Sequence, residues 1–149
     1  MRRRNLLIIG GLATIGLVIA AVIIVLRLTL PPPAASIGNV VWSLTYLQVN
    51  GQTYTLVPNV PVTLTFDESS HTITGNSGCN SYQATYQRQD AQVRFQDFAV
   101  TAMGCLGPEG EQENLYLQAL LHAETLHVAG NGMTIIGASG KDLLRFSSS

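Results

Sequence analysis

The sequence predicts a mostly β (α+β) domain: an antiparallel meander rolled into a barrel-like sheet, covered by one α-helix and preceded by one transmembrane helix. Three observations predict this. Short β-branched and aromatic runs alternate with Gly, Asn, Asp and Ser turns from residue 39 onward. The period changes once, to a helical spacing of leucines near residues 115–121. The chain also opens on a long uncharged run behind three arginines.

Taken in order, Met1–Arg4 is a basic terminus expected on the cytoplasmic side. Asn5 to Leu26 carries no charge and is almost wholly apolar. As a helix these residues would reach about 33 Å, against roughly 30 Å of hydrocarbon in a bilayer. Arg2, Arg3 and Arg4 precede the run and Arg27 follows it. That asymmetry predicts a single-pass anchor in the cell membrane with the C-terminal domain outside the cytoplasm. A cleaved signal peptide is the competing reading. The run exceeds the usual apolar core of a signal, and no clean Ala-x-Ala site follows it. No cysteine lies nearby to carry a lipoprotein anchor. Residues 27–38, with Pro31-Pro32-Pro33, form an extended linker.

Residues 39–149 are expected to form one domain. After Arg27, four bases against nine acids leave a net charge of −5. This argues against nucleic acid and against an anionic lipid surface as partner. Asn39–Val49 reads as a strand, Asn50-Gly51 as a hairpin turn, and Thr53–Val57 as the returning strand. Val62, Leu64 and Phe66 alternate with threonines, and Asp67–Ser70 is a turn leading to a strand over His71–Thr74. Tyr82–Gln87 and Gln92–Gln96 form a hairpin, and Phe98–Met103 a further strand or extended edge. Glu109 to His122 is the helix, with Glu109, Glu111 and Glu113 early in it, where carboxylates complement the dipole. Thr125–Ala129, Met133–Ile136 and Leu143–Phe146 complete the meander, giving roughly eight strands.

The segment Gly75 to Tyr82 holds two glycines, two asparagines and Cys79 between strand-like runs. The second of two cysteines is Cys105. An even pair in an exported domain points to a disulfide, with two buried thiols as the alternative. These two cysteines without nearby histidines make a poor metal site, and no cofactor is expected.

Gly75-x-x-Gly78-Cys79-Asn80-x-Tyr82 followed by Thr101-x-Met103-x-Cys105 resembles the META domain, or HslJ-like, family. Trp42-x-Leu44, Glu113-x-x-Tyr116-Leu117-x-x-Leu120 and Leu143-x-x-Phe146 extend the resemblance over residues 41–146. The resemblance implies a compact barrel-like domain with one helix, and a role linked to heat-shock response, antibiotic tolerance or secretion. Many relatives are lipoproteins, a pattern from which this chain departs. For Trp42, Gly75, Gly78, Asn80, Tyr82, Thr101, Met103 and Glu113 the structural reading is favoured. Asn80 would bond the turn, Tyr82 and Trp42 would pack in the core, and Glu113 would anchor the helix start.

His71 reads as solvated, His122 as a helix terminus and His127 as structural. No Gly-x-Ser-x-Gly elbow is present. The acidic clusters Asp67-Glu68 and Glu109/Glu111/Glu113 have turn and helix-end explanations. The expected function is therefore a non-catalytic envelope stress or protein-interaction module, its partner an unidentified envelope protein or small ligand. Two alternatives stay open. One is a small-molecule binder using the interior or mouth of the rolled sheet. The other is an envelope hydrolase using a histidine beside a carboxylate.

Overall fold

The computed structural model describes residues 19–20 and 37–148. The anchor and linker expectations lie outside the described residues, apart from helical Ile19 and Ala20 and from Ile37 and Gly38, which belong to the domain and not to the linker: Ile37 is buried in the core and Gly38 bridges Phe66. Among the described residues no helix is long and apolar enough to cross a membrane.

The domain is built from β1 (Val41–Val49), β2 (Gln52–Tyr54), β3 (Thr63–Asp67), β4 (Thr72–Asn76), β5 (Ser81–Gln89), β6 (Gln92–Val100), α1 (Pro108–Leu121), β7 (Ala123–Ala129), β8 (Gly132–Gly137) and β9 (Leu143–Ser148). The order β1-β3-β4-β5-β6-β7-β8-β9 closes through pairing of β1 with β9, making an eight-stranded antiparallel barrel. β2 is a ninth strand, attached only to the end of β1. One edge of β1 is thus shared, with β3 against Val41–Ser43 and β2 against Leu47–Val49.

Two bulges keep apolar side chains inside. In β1 the buried residues are Trp42, Leu44, Leu47 and Val49, which break strict alternation after Leu44. The register against β9 shifts between Leu44 and Tyr46, so Leu47 returns to the interior. In β6 the inward series Val93, Phe95, Phe98 skips a residue in the same way. Asp97 sits there at φ 54°, and the register against β5 shifts between Gln83 and Thr85.

α1 touches β1, β6 and β8, which are not neighbours in the ring, so it lies across one mouth of the barrel. Its buried stripe is Gln112, Tyr116, Ala119 and Leu120, the spacing of one helical face. Leu121, expected to continue that stripe, is exposed. Side chains fill the interior: Leu64, Phe66, Phe95, Tyr116, Leu126 and Ile135 are all buried. A filled interior counts against the alternative of a small-molecule binder in its interior form and leaves the mouth. Phe66 meets Tyr86 edge-on with ring centroids 5.1 Å apart.

Several sequence boundaries are corrected. The returning strand expected over Thr53–Val57 ends at Tyr54, because Val57 N donates to Gln112 Oε1 of the helix (2.7 Å) and leaves the sheet. The stretch Phe98–Met103, expected as a further strand or extended edge, is not a separate element. Residues 98–100 continue β6 past its bulge, and 101–107 are irregular. The strand expected to end at Thr74 runs on to Asn76, into the Gly/Cys segment.

Candidate functional site

At the helix-covered mouth, three pieces of chain meet: residues 77–80 between β4 and β5, residues 101–107 between β6 and α1, and the first turns of α1. Asn80, 3 % exposed, joins them. Its Oδ1 accepts from Met103 N (2.8 Å) and Thr101 Oγ1 (2.8 Å). Its Nδ2 donates to Met103 O (3.2 Å) and Glu113 Oε1 (2.9 Å). Its backbone N–H donates to Glu113 Oε2 (2.9 Å), and its carbonyl accepts from Ser77 N (2.8 Å). The buried Ser77 hydroxyl shares its one proton between Asn80 O and Glu113 Oε2.

Glu113 therefore does not anchor its own helix start, as expected, but binds α1 to the Gly/Cys segment. Burial works against its charged form. Hydrogen bonds from Ser77 and Asn80 outweigh that and hold its carboxyl below the usual carboxylate range. The helix start itself has no side-chain cap: Gly107 occupies the cap position at φ 116°.

Two glycines make this meeting possible. A Cβ on Gly75 would lie 2.0 Å from Thr63 O and 2.8 Å from Tyr82 Oη. Gly78 takes φ 105° with Gln112 Nε2 packed against it. Beneath them Tyr82 Oη donates to Thr63 O (3.0 Å) and accepts from Tyr116 Oη (2.7 Å). Burial pushes both phenols well up, so they stay protonated. Trp42 is a core residue, 2 % exposed, with Nε1 donating to Ile37 O (3.3 Å).

Cys79 and Cys105 are disulfide-bonded, with Cα atoms 6.2 Å apart. The bond ties residues 101–107 to the segment that Asn80 already holds. Closing a loop of this separation, 26 residues, stabilises by about 3.5 kcal/mol in the chain-entropy model. Urea unfolding with and without reductant should differ by about that amount. No difference would mean that the polar contacts alone hold the loop.

The sequence reading brought together Gly75, Gly78, Cys79, Asn80, Tyr82, Thr101, Met103, Cys105 and Glu113, and the structure places them at one mouth. It left out Ser77 and Gln112. Gln112 is 4 % exposed, and its Nε2 has no hydrogen-bond partner among the described residues. It also missed that the loop carries bare apolar side chains: Met103 is 62 % and Leu106 97 % exposed. A shallow groove of about 610 Å³ continues from this loop along Ala99–Thr101 and Ser81–Gln83.

The histidines are dispersed. His71 is exposed in the β3–β4 turn, its ring 6.0 Å from that of Tyr86. His127 is exposed on β7 rather than built into the structure. His122 caps α1, and its Nδ1 lies 3.3 Å from Asp142 Oδ2. Asp142 is buried and its Oδ1 accepts from Asn50 N (2.7 Å). This contact joins the helix end to the β1–β2 and β8–β9 turns. Nothing local in the chain signals it, since Asp142 lies 20 positions beyond His122.

The model of the META domain matches residues 35–149. No curated protein matches the chain. Among solved structures, a protein from Burkholderia xenovorans is similar at 25 % identity and a TM-score of 0.63, over 81 % of this chain and 93 % of that one. A DUF4847 family protein from Bacteroides vulgatus shares the fold at 14 % identity and a TM-score of 0.58, over 74 % of this chain and 93 % of that one.

Proposed function

The chain belongs to the META domain family, and on that premise we propose that it is a membrane-anchored, extracytoplasmic, non-catalytic module that binds another envelope protein through residues 101–107. One observation carries this reading. Leu106 is almost fully exposed on a loop that a disulfide, Asn80 and Glu113 hold in place. Lone exposed apolar residues are common. Here Met103 and Leu106 stand on one braced loop, and the groove beside it reaches the exposed Val100. A rigid apolar loop binds with little ordering cost, which is what a docking surface needs.

The anchor rests on the uncharged run Asn5–Leu26 between arginines. The stress-linked role is the one that the family resemblance implies. The net charge of −5 beyond Arg27 favours a protein partner over nucleic acid.

The test is affinity purification of the full-length tagged protein from membranes, with the intact mass read from the same sample. The double substitution Met103→Ser and Leu106→Ser should leave the unfolding free energy within about 0.5 kcal/mol. It should also abolish retention of the partner that wild type retains. Equal retention by both proteins would remove the loop from the interface. An intact mass lacking the first residues would remove the anchor.

A further inference from the structure

We propose that the seam between β6 and β7 is a binding site for a sugar acid, a ligand that is rich in hydroxyl groups and carries one carboxylate. The seam lies at the far end of the β5–β6 hairpin from residues 101–107 and is independent of the reading above.

The barrel ladder is narrowest here. β6 and β7 share a single register pair, Gln92 with Thr125, beside one further bond from Leu126 N to Ala91 O (2.7 Å). The other neighbouring strands of the ring share three pairs or more. Where the two strands part, a cleft of about 510 Å³ opens. That lies within the usual range of small-molecule sites.

Its wall is polar by construction. The register pairs Gln87 with Arg94 and Gln89 with Gln92, which places these four side chains on the outer face of the hairpin. Glu124 lines the cleft from β7. Arg88 also borders the cleft, with Nε donating to Asp90 O (3.0 Å). Arg94 makes no ion pair or side-chain hydrogen bond to another described residue, and neither do the three glutamine amides.

These groups select a chemistry. Each carboxamide offers donors and an acceptor together, which suits hydroxyl groups that both give and accept. A guanidinium fits a carboxylate through two parallel hydrogen bonds. The Glu124 carboxylate accepts from hydroxyls and repels polyanions. An acidic peptide would want apolar recesses for its side chains, and the apolar lining here is limited to the buried Val93 and the half-buried Ala123. The shared ligand chemistry could be met by a free sugar acid or by an acidic residue within a cell-wall glycan.

The experiment titrates full-length protein in detergent micelles with N-acetylmuramic acid, N-acetylglucosamine and a glutamate oligomer. It follows the Arg94 Nε–H and glutamine side-chain amide NMR signals, and adds a co-sedimentation arm with insoluble peptidoglycan. The acid sugar should shift the signals of Gln87, Gln89, Gln92 and Arg94, and the neutral sugar should not. Arg94→Gln should weaken binding about tenfold, the loss of one charged hydrogen-bonded contact. Lys141→Gln, a charge removed elsewhere, should bind as wild type. Response to the free acid assigns a soluble ligand, and co-sedimentation that depends on Arg94 without such a response assigns the polymer; either supports the site. No response in either arm overturns the proposal. So does equal binding of the neutral sugar, wild-type binding by Arg94→Gln, or a stronger response to the glutamate oligomer.

Discussion

Glu113→Ala should lower the unfolding free energy by roughly 2–6 kcal/mol: one buried donor loses its only acceptor at about 1–3 kcal/mol, and two that keep Asn80 O and Met103 O lose one bond each at about 0.5–1.5 kcal/mol. The donors are the Ser77 hydroxyl, Asn80 N and Asn80 Nδ2. Ser77 and Asn80 are buried, so water does not readily replace the lost oxygens. Glu113→Gln should recover only part of the loss. Its amide nitrogen would face a donor whichever way it turned. Urea denaturation followed by the fluorescence of Trp42, the one tryptophan, measures both variants. A change below about 1 kcal/mol for Glu113→Ala would show that these contacts are replaced by solvent.

The same residue sets a direction with pH. Glu113 is held below the usual carboxylate range in the folded protein. Its stabilisation is therefore complete above the unfolded value and is lost as pH falls through the folded one. Asp67, lowered to about 2 by bonds from Ser69 and Ser70, acts in the same sense. Its contribution is small because it lies in an exposed turn. Wild type should lose stability on acidification below the ordinary carboxylate range, and Glu113→Gln should show a shallower slope there.

Gly75→Ala is the second large effect, on the order of 4 kcal/mol, the range of substitutions that force a backbone clash in a core. The added Cβ would sit 2.0 Å from the Thr63 carbonyl oxygen and 2.8 Å from Tyr82 Oη. Neither can yield cheaply, because Thr63 O accepts the Tyr82 proton and Tyr82 accepts that of Tyr116. Relief requires β3 and β4 to part, which also loosens the tyrosine pair beneath α1. Gly104→Ala is the control: a Cβ there meets nothing within 4 Å among the described residues, and the expected change is within about 0.5 kcal/mol. Equal thermal melts for Gly75→Ala and wild type would show that the two strands do not approach as described.

Much of this was legible in the sequence, for local reasons. Val62, Leu64 and Phe66 alternate with threonines, and β3 follows. Asn50-Gly51 marks a tight turn, and both residues take positive φ. The glutamates before residue 114 and the leucines after it give α1 to within one residue at each end. What the sequence hid was non-local. Strict alternation fails at Tyr46 and Asp97, where bulges reset which side chains face inward. The end of β2 at Tyr54 depends on Gln112, more than fifty positions away, taking the Val57 N–H. For the site, residue types at Gly75–Tyr82 and Thr101–Cys105 identified the members, while the bonds joining them depend on the fold. Thr101 and Met103 read as strand residues, yet Met103 N pairs with the Asn80 side chain instead. Leu106 reads as an ordinary apolar residue, and only the fold shows it bare.

The claim on which the rest depends is that Asn80, Glu113 and the disulfide make residues 77–80 and 101–105 one rigid unit with α1. Amide hydrogen exchange of Asn80 and Met103 in the full-length protein tests it most directly. Both amides donate to side chains, to Glu113 and to Asn80, and not to a strand. The account predicts that they exchange as slowly as Leu64 and Ile135 in the core, through global unfolding, and that Glu113→Gln speeds them selectively. Exchange of Asn80 and Met103 orders of magnitude faster than Leu64 in the wild-type protein would contradict it, because the loop would then open on its own.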